Sequence, residues 1–114
     1  MFREDMNEIR LVVCTFPDLP SARQIGTVLI EKQLAACVNL IPGVESIYRW
    51  QGKVESAAEV LAVFKTSAAV FPEFEQELAA LHPYDVPEIV AIEPAAVAET
   101  YASWVLSSVA PSDR

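Results

Sequence analysis

The feature that most constrains this chain lies between Ala36 and Thr66, where two β-branched, apolar runs are separated by Gln51-Gly52. Val44 to Trp50 leads into that dipeptide and Lys53 to Thr66 leads out of it, so Gln51-Gly52 reads as the tight turn of a hairpin. Ala36 to Ile41 extends the first arm backward, and Pro42-Gly43 interrupts it. A proline inside a strand pattern implies a bulge or a sheet edge, because it has no N–H to donate to a ladder. Arms of about fifteen residues, at roughly 3.3 Å each, reach well beyond a core whose radius of gyration is about 13 Å. The outer half then carries Ile47, Tyr48 and Trp50 on uncovered edges, which invite pairing with another chain. Oligomerisation through the hairpin is the expectation.

The flanking segments complete the pattern. Ile9 to Phe16 is a short apolar run ending at Pro17-Asp18, as for a buried strand entering a turn. Ser21 and Gln24 fit a capping box, and Ile25, Val28, Leu29 and Lys32 then share one face of a helix over 21–34. Phe71, Phe74, Leu78 and Leu81 mark a second amphipathic helix, with Pro72 in its first turn and His82-Pro83 at its end. A last strand over 86–93 and a final helix with Tyr101, Trp104, Val105 and Val109 on one face close the chain. The order β-α-β-β-α-β plus α is an α+β, ferredoxin-like fold. A chain of 114 residues holds one domain, here 1–114, with 1–8 and 110–114 as flexible tails.

A net charge of −8 disfavours nucleic acid and anionic membrane as partners, since both would repel it. No run approaches the roughly 20 apolar residues of a membrane span, and the start lacks a signal-type stretch. The two cysteines, Cys14 and Cys37, form no Cys-x-x-Cys pair, and reduced thiols in a cytoplasmic protein follow as the default.

Four strings stand in register along the chain: Leu34 to Asn39, Ser46 to Lys53, Phe64 to Thr66, and His82-Pro83-Tyr84-Asp85-Val86-Pro87-Glu88-Ile89. Together with Tyr101 and Trp104 they resemble the CutA, or divalent-cation-tolerance, family over about Ile9 to Val109. The resemblance implies a homotrimer similar in architecture to PII signalling proteins, with hairpins completing sheets across subunit boundaries. It also implies a link to tolerance of copper and other divalent metals, with no catalytic reaction and no cofactor needed for folding. A PII-like module that binds a small metabolite or a partner protein without metal is the alternative.

Candidate site residues follow in two groups. The resemblance implies Cys14 and a His-His pair as copper ligands; here His82 holds the second place of that pair and Leu81 the first. Two such ligands fall short of a usual complement, so a buried thiol and a helix-ending histidine compete with the metal reading. The second group is a ligand cleft of Cys37, Trp50, Glu59, Lys65, Tyr84 and Glu88, which the resemblance places between subunits. Glu59 and Lys65 are an even step apart and share a strand face. An interface ion-pair network is the competing reading of these residues. Enzymatic chemistry is not expected, because no nucleophile elbow, phosphate-binding glycine loop or zinc-protease helix occurs.

Overall fold

A computed structural model describes residues 8–110. Its elements are β1 (Ile9–Phe16), α1 (Leu19–Glu31), β2 (Cys37–Trp50), β3 (Lys53–Ser67), α2 (Phe71–Leu81), β4 (Val90–Ile92) and α3 (Glu99–Ser108). The four strands form one antiparallel sheet in the order β2-β3-β1-β4, the ferredoxin-like arrangement expected from the element order.

Alternation along β1 and β3 divides the sheet into two faces. Val12, Cys14 and Phe16 together with Val60, Ala62 and Phe64 point toward α1 and α2, where Ala22, Leu29, Phe74 and Leu78 meet them in the main core. Phe64 and Phe74 meet edge to face at 5.0 Å. A smaller cluster forms where Ala102 and Val105 of α3 close over Ile9. The face carrying Leu11, Val13, Leu61 and Val63 has no helix across most of it and stays half-exposed.

The hairpin has the expected turn. Gln51 (φ 51°) and Gly52 (φ 82°) both lie in the left-handed region, and Trp50 pairs with Lys53, which defines a two-residue turn of the I′ kind. The bulge sits where proline demanded it, with the register shifting between Ile41 and Val44 and Gly43 at φ 81°. β2 is also an edge strand, so Pro42 deprives no neighbour of a hydrogen bond. Beyond the bulge the hairpin leaves the body of the molecule, whose longest dimension is 49 Å against 31 and 22 Å for the others.

Several boundaries differ from expectation, each for a physical reason. α1 starts at Leu19 because Asp18, not Ser21, is its cap, accepting a hydrogen bond from the Ser21 N–H at 2.9 Å. It ends at Glu31 rather than 34. Gln33 (φ 61°) donates to the Ile30 carbonyl and Leu34 to the Leu29 carbonyl, a Schellman closure formed without glycine. β4 shrinks to 90–92, since Pro87 cannot donate to the ladder and constrains its predecessor. Leu81, Tyr101 and Trp104 lie exposed rather than on the buried faces of their helices, and Ala102 takes the inward position on α3.

The expected tails fall outside the described residues except at their inner ends, and both ends are tied. The Ala68 N–H donates to the Glu8 carbonyl at 2.6 Å, and the Ala110 N–H donates to the Gln33 carbonyl at 3.2 Å. No helix among the described residues is long and apolar enough to cross a membrane.

Candidate functional site

Where the hairpin leaves the sheet, the segment following α2 runs beside it and the two enclose a groove of about 810 Å³. Tyr48, Trp50, Glu55 and Glu59 enter it from the hairpin, and Tyr84, Asp85, Val86 and Glu88 from the segment after α2. Strand pairing explains the hairpin's contribution. Tyr48 stands opposite Glu55 and Val44 opposite Glu59, so these side chains share one face.

His82 anchors the other wall. It caps α2 in an extended conformation, as a residue before proline prefers, and its N–H still bonds to the Leu78 carbonyl at 2.9 Å. The ring is buried and stacks on Phe16 at 4.7 Å. Its two nitrogens have fixed roles. Nε2 lies 2.9 Å from the Thr15 carbonyl, which only accepts, so Nε2 carries the proton. The Tyr84 N–H donates to Nδ1 at 3.1 Å, which engages the lone pair there. This is the neutral tautomer, and burial pushes the imidazole's pKa down, partly offset by the Thr15 carbonyl and the Glu59 carboxylate.

Tyr84, held at its backbone by His82, donates its hydroxyl to Glu59 Oε2 at 2.6 Å. The phenol's pKa is raised by burial first and then by that carboxylate. A chain of contacts therefore runs from β1 through His82 and Tyr84 to Glu59 on β3, and it sets the width of the groove.

The expected metal pair is poorly disposed to bind a metal within one chain. Cys14 is fully buried on the helix-facing side of β1, and its thiol is pushed up to about 12, by burial first and then by Glu88 and Glu59. A thiol so hard to ionise is a weak metal donor. His82 has no lone pair to spare. Among the described residues no three His, Cys, Asp or Glu side chains converge as a metal centre. Cys14 and His82 do not fit a copper site as they stand in one chain.

The expected cleft residues occupy two places. Trp50, Glu59, Tyr84 and Glu88 line the groove, whereas Cys37 and Lys65 pair across strands near α3. There Lys65 Nζ donates to Cys37 Sγ at 3.5 Å and to the Asn39 carboxamide, and the Tyr101 hydroxyl approaches the same sulfur at 3.9 Å. Glu59 and Lys65 do share a face, but six residues of strand put them about 20 Å apart. The ligand-cleft group expected from the sequence omitted Glu55 and Asp85, which also line the groove. Counting register outward from Gln51-Gly52 would have placed Glu55 opposite Tyr48.

A four-stranded ferredoxin-like sheet with an overlong hairpin and an acidic, aromatic groove at its base defines a class of small α+β proteins with the PII type of architecture. The model of the CutA1 divalent ion tolerance protein family matches residues 10–108, and the chain belongs to that family. It is 46% identical over 95 residues to the divalent-cation tolerance protein CutA of Thermus thermophilus, covering 83% of this chain and 92% of that one. The chloroplastic CutA protein of Arabidopsis thaliana is 35% identical over 98 residues, 86% of this chain but only 54% of the plant protein. Among solved structures, CutA from Xylella fastidiosa superposes with a TM-score of 0.88 at 40% identity, covering 90% of this chain and 99% of that one.

Proposed function

We infer that this divalent-cation-tolerance protein acts without catalysis, as a cytoplasmic homotrimer that holds a cation in the groove beside its hairpin. The observation that carries this reading is the groove's chemistry: Glu55, Glu59, Asp85 and Glu88 line it and, among the described residues, no lysine or arginine does. Four carboxylates around one space lower its potential and draw cations to it. The trimer is supported by the uncovered outer hairpin, where Ile47 and Val54 are each 69% exposed. Cytoplasmic residence is supported by two free thiols.

Copper or another divalent metal enters this reading with ligands from a neighbouring subunit, since one chain alone brings too few together. Sedimentation of the purified protein should give three times the monomer mass. Calorimetric titration with copper in both oxidation states, and with manganese, should give saturable heat that Glu59→Gln reduces. A monomer in sedimentation would end the trimer reading. Heat that is absent, or indifferent to both Glu59→Gln and His82→Ala, would end the metal reading.

The aromatic share of the groove favours a second reading, a PII-like module that senses a small molecule there. Tyr48, Trp50 and Tyr84 offer more ring surface than a hydrated metal ion uses.

A further inference from the structure

The two cysteines have opposite surroundings. Cys14 is fully buried in the core, its thiol is pushed up to about 12 by burial first and then by Glu88 and Glu59, and it donates to the Thr15 carbonyl at 3.7 Å. Cys37 is half-buried at the root of the hairpin, apart from the groove and from the exposed outer arms. An amine stands beside it. Lys65 Nζ donates to Cys37 Sγ at 3.5 Å, and the Tyr101 hydroxyl of α3 approaches the same sulfur at 3.9 Å.

This pairing is set by the backbone. Cys37 and Lys65 stand directly opposite each other in the β2-β3 ladder, where facing Cβ atoms lie about 4.5 to 5.5 Å apart. The Ala36 N–H donates to the Lys65 carbonyl at 2.8 Å, which closes the ladder at that end. Asn39, two residues along β2 on the same face, accepts from the amine through its carboxamide oxygen. Among the described residues no carboxylate forms a salt bridge with Lys65, so no ion pair competes with the sulfur for it. The flexible four-carbon stem of a lysine lets Nζ cross the remaining gap without movement of either strand.

Such a pair has a defined chemistry toward peroxides. The sulfur attacks one peroxide oxygen and the O–O bond breaks, leaving a sulfenic acid and water; sulfur is oxidised by two electrons and the peroxide is reduced by two. A sulfenic acid condenses with a neighbouring thiol or nitrogen. No second thiol is at hand, because Cys14 lies on the helix-facing side of the sheet, opposite to the side that Cys37 and Lys65 share. Lys65, once its ammonium has given a proton to water, attacks the sulfur. The S–N bond forms, the S–O bond breaks, and hydroxide leaves with a proton from the nitrogen as water. One thiol, one amine and one hydrogen peroxide thus give one sulfenamide and two waters.

We propose that hydrogen peroxide joins Cys37 Sγ to Lys65 Nζ as a sulfenamide, a cross-link that ties β2 to β3 at the root of the hairpin and that thiols reverse. It removes the positive charge of Lys65 and diverts the sulfur from irreversible oxidation.

The test is treatment of the full-length, assembled protein with hydrogen peroxide at neutral pH, followed by peptide mapping in a mass spectrometer without reductant. The expected product is the peptide carrying Cys37 joined to the peptide carrying Lys65, lighter than their sum by two hydrogen atoms, and dithiothreitol should separate them. Cys14 should remain a thiol. Lys65→Arg keeps the charge but replaces the amine with a guanidinium; it should give no cross-link and let Cys37 proceed to sulfinic acid. The unmodified protein unfolded in guanidinium chloride before treatment should give at least about tenfold less cross-link, because the fold supplies the proximity. Cys37 left as a thiol, or oxidised to sulfenic or sulfinic acid with Lys65 free, overturns the proposal. So does a cross-link that persists in Lys65→Arg or forms equally in the unfolded chain.

Discussion

The two halves of β3 differ in composition and in fate: Lys53 to Glu59 carries two glutamates and a lysine with Val54 as its one large apolar side chain, whereas Val60 to Ser67 is mostly apolar. From Val60 to Ser67 every second residue is buried, and Ala62, Phe64 and Thr66 are wholly inaccessible. From Lys53 to Glu59 no residue is buried on either face. Hydrogen bonding to β2 continues through both halves, so the ladder does not account for the difference. What accompanies the change in composition is the presence of α1 and α2 behind the inner half, against which Val60, Ala62 and Phe64 pack. A strand pair without a covering layer is marginal in water, so the outer half must draw its stability from elsewhere.

The largest test of this contrast is Phe64→Ala. Phe64 is fully buried and packs edge to face on Phe74. Its truncation should cost about 3 to 5 kcal/mol, read as a fall in the midpoint of denaturant unfolding. A loss below about 1 kcal/mol would mean that the inner half is not the stability centre.

A second substitution addresses the outer half. Ile47→Asp touches nothing in the core, yet it places a charge where assembly needs apolar surface. Loss of an isoleucine's burial at an interface amounts to about 2 to 3 kcal/mol per subunit. The expected result is dissociation on dilution, with a melting temperature that depends on protein concentration more steeply than in the unmodified protein. Unchanged sedimentation at micromolar concentration would show that the outer hairpin stands alone, and the contrast between halves would lose its explanation.

This contrast also marks what could be read from the residues. Turn chemistry and strand periodicity are local, and Gln51-Gly52, Pro42-Gly43 and the alternation from Val60 onward carried the hairpin, its bulge and the element order. Helix ends were less legible. Asp18 outcompeted Ser21 as the cap because its carboxylate reaches the Ser21 N–H, and Gln33 adopts a left-handed backbone usually left to glycine. Tyr101 and Trp104 fit a helical stripe by spacing, but the small Ala102 gives the closer approach to Ile9. At the site, Trp50, Glu59, Tyr84 and Glu88 line one groove, while Cys37 and Lys65 lie apart from it. The state of His82 was beyond reach, since its partner Thr15 lies 67 positions away in the chain.

His82 stands where the two halves join, and it yields the smallest effect with the most specific signature. Its pKa in the folded protein lies below the ordinary imidazole value of about 6.5, mainly through burial. As pH falls below that value, the unfolded chain binds a proton that the folded chain still refuses. Stability is therefore full above about pH 6.5 and declines as pH drops through the folded-state value. Protonation at Nδ1 would set two N–H groups, those of His82 and Tyr84, against each other, which loosens the hold on Tyr84 and on Glu59 beyond it. His82→Gln removes the titrating group, at the cost of the stacking contact with Phe16. Melting temperature plotted between pH 8 and pH 5 should be lower for the variant at pH 8 but fall less steeply, because the carboxylates titrating in both proteins cancel in the difference. Parallel curves would show that His82 does not couple the core to the groove, and the boundary between the two halves would then be one of packing alone.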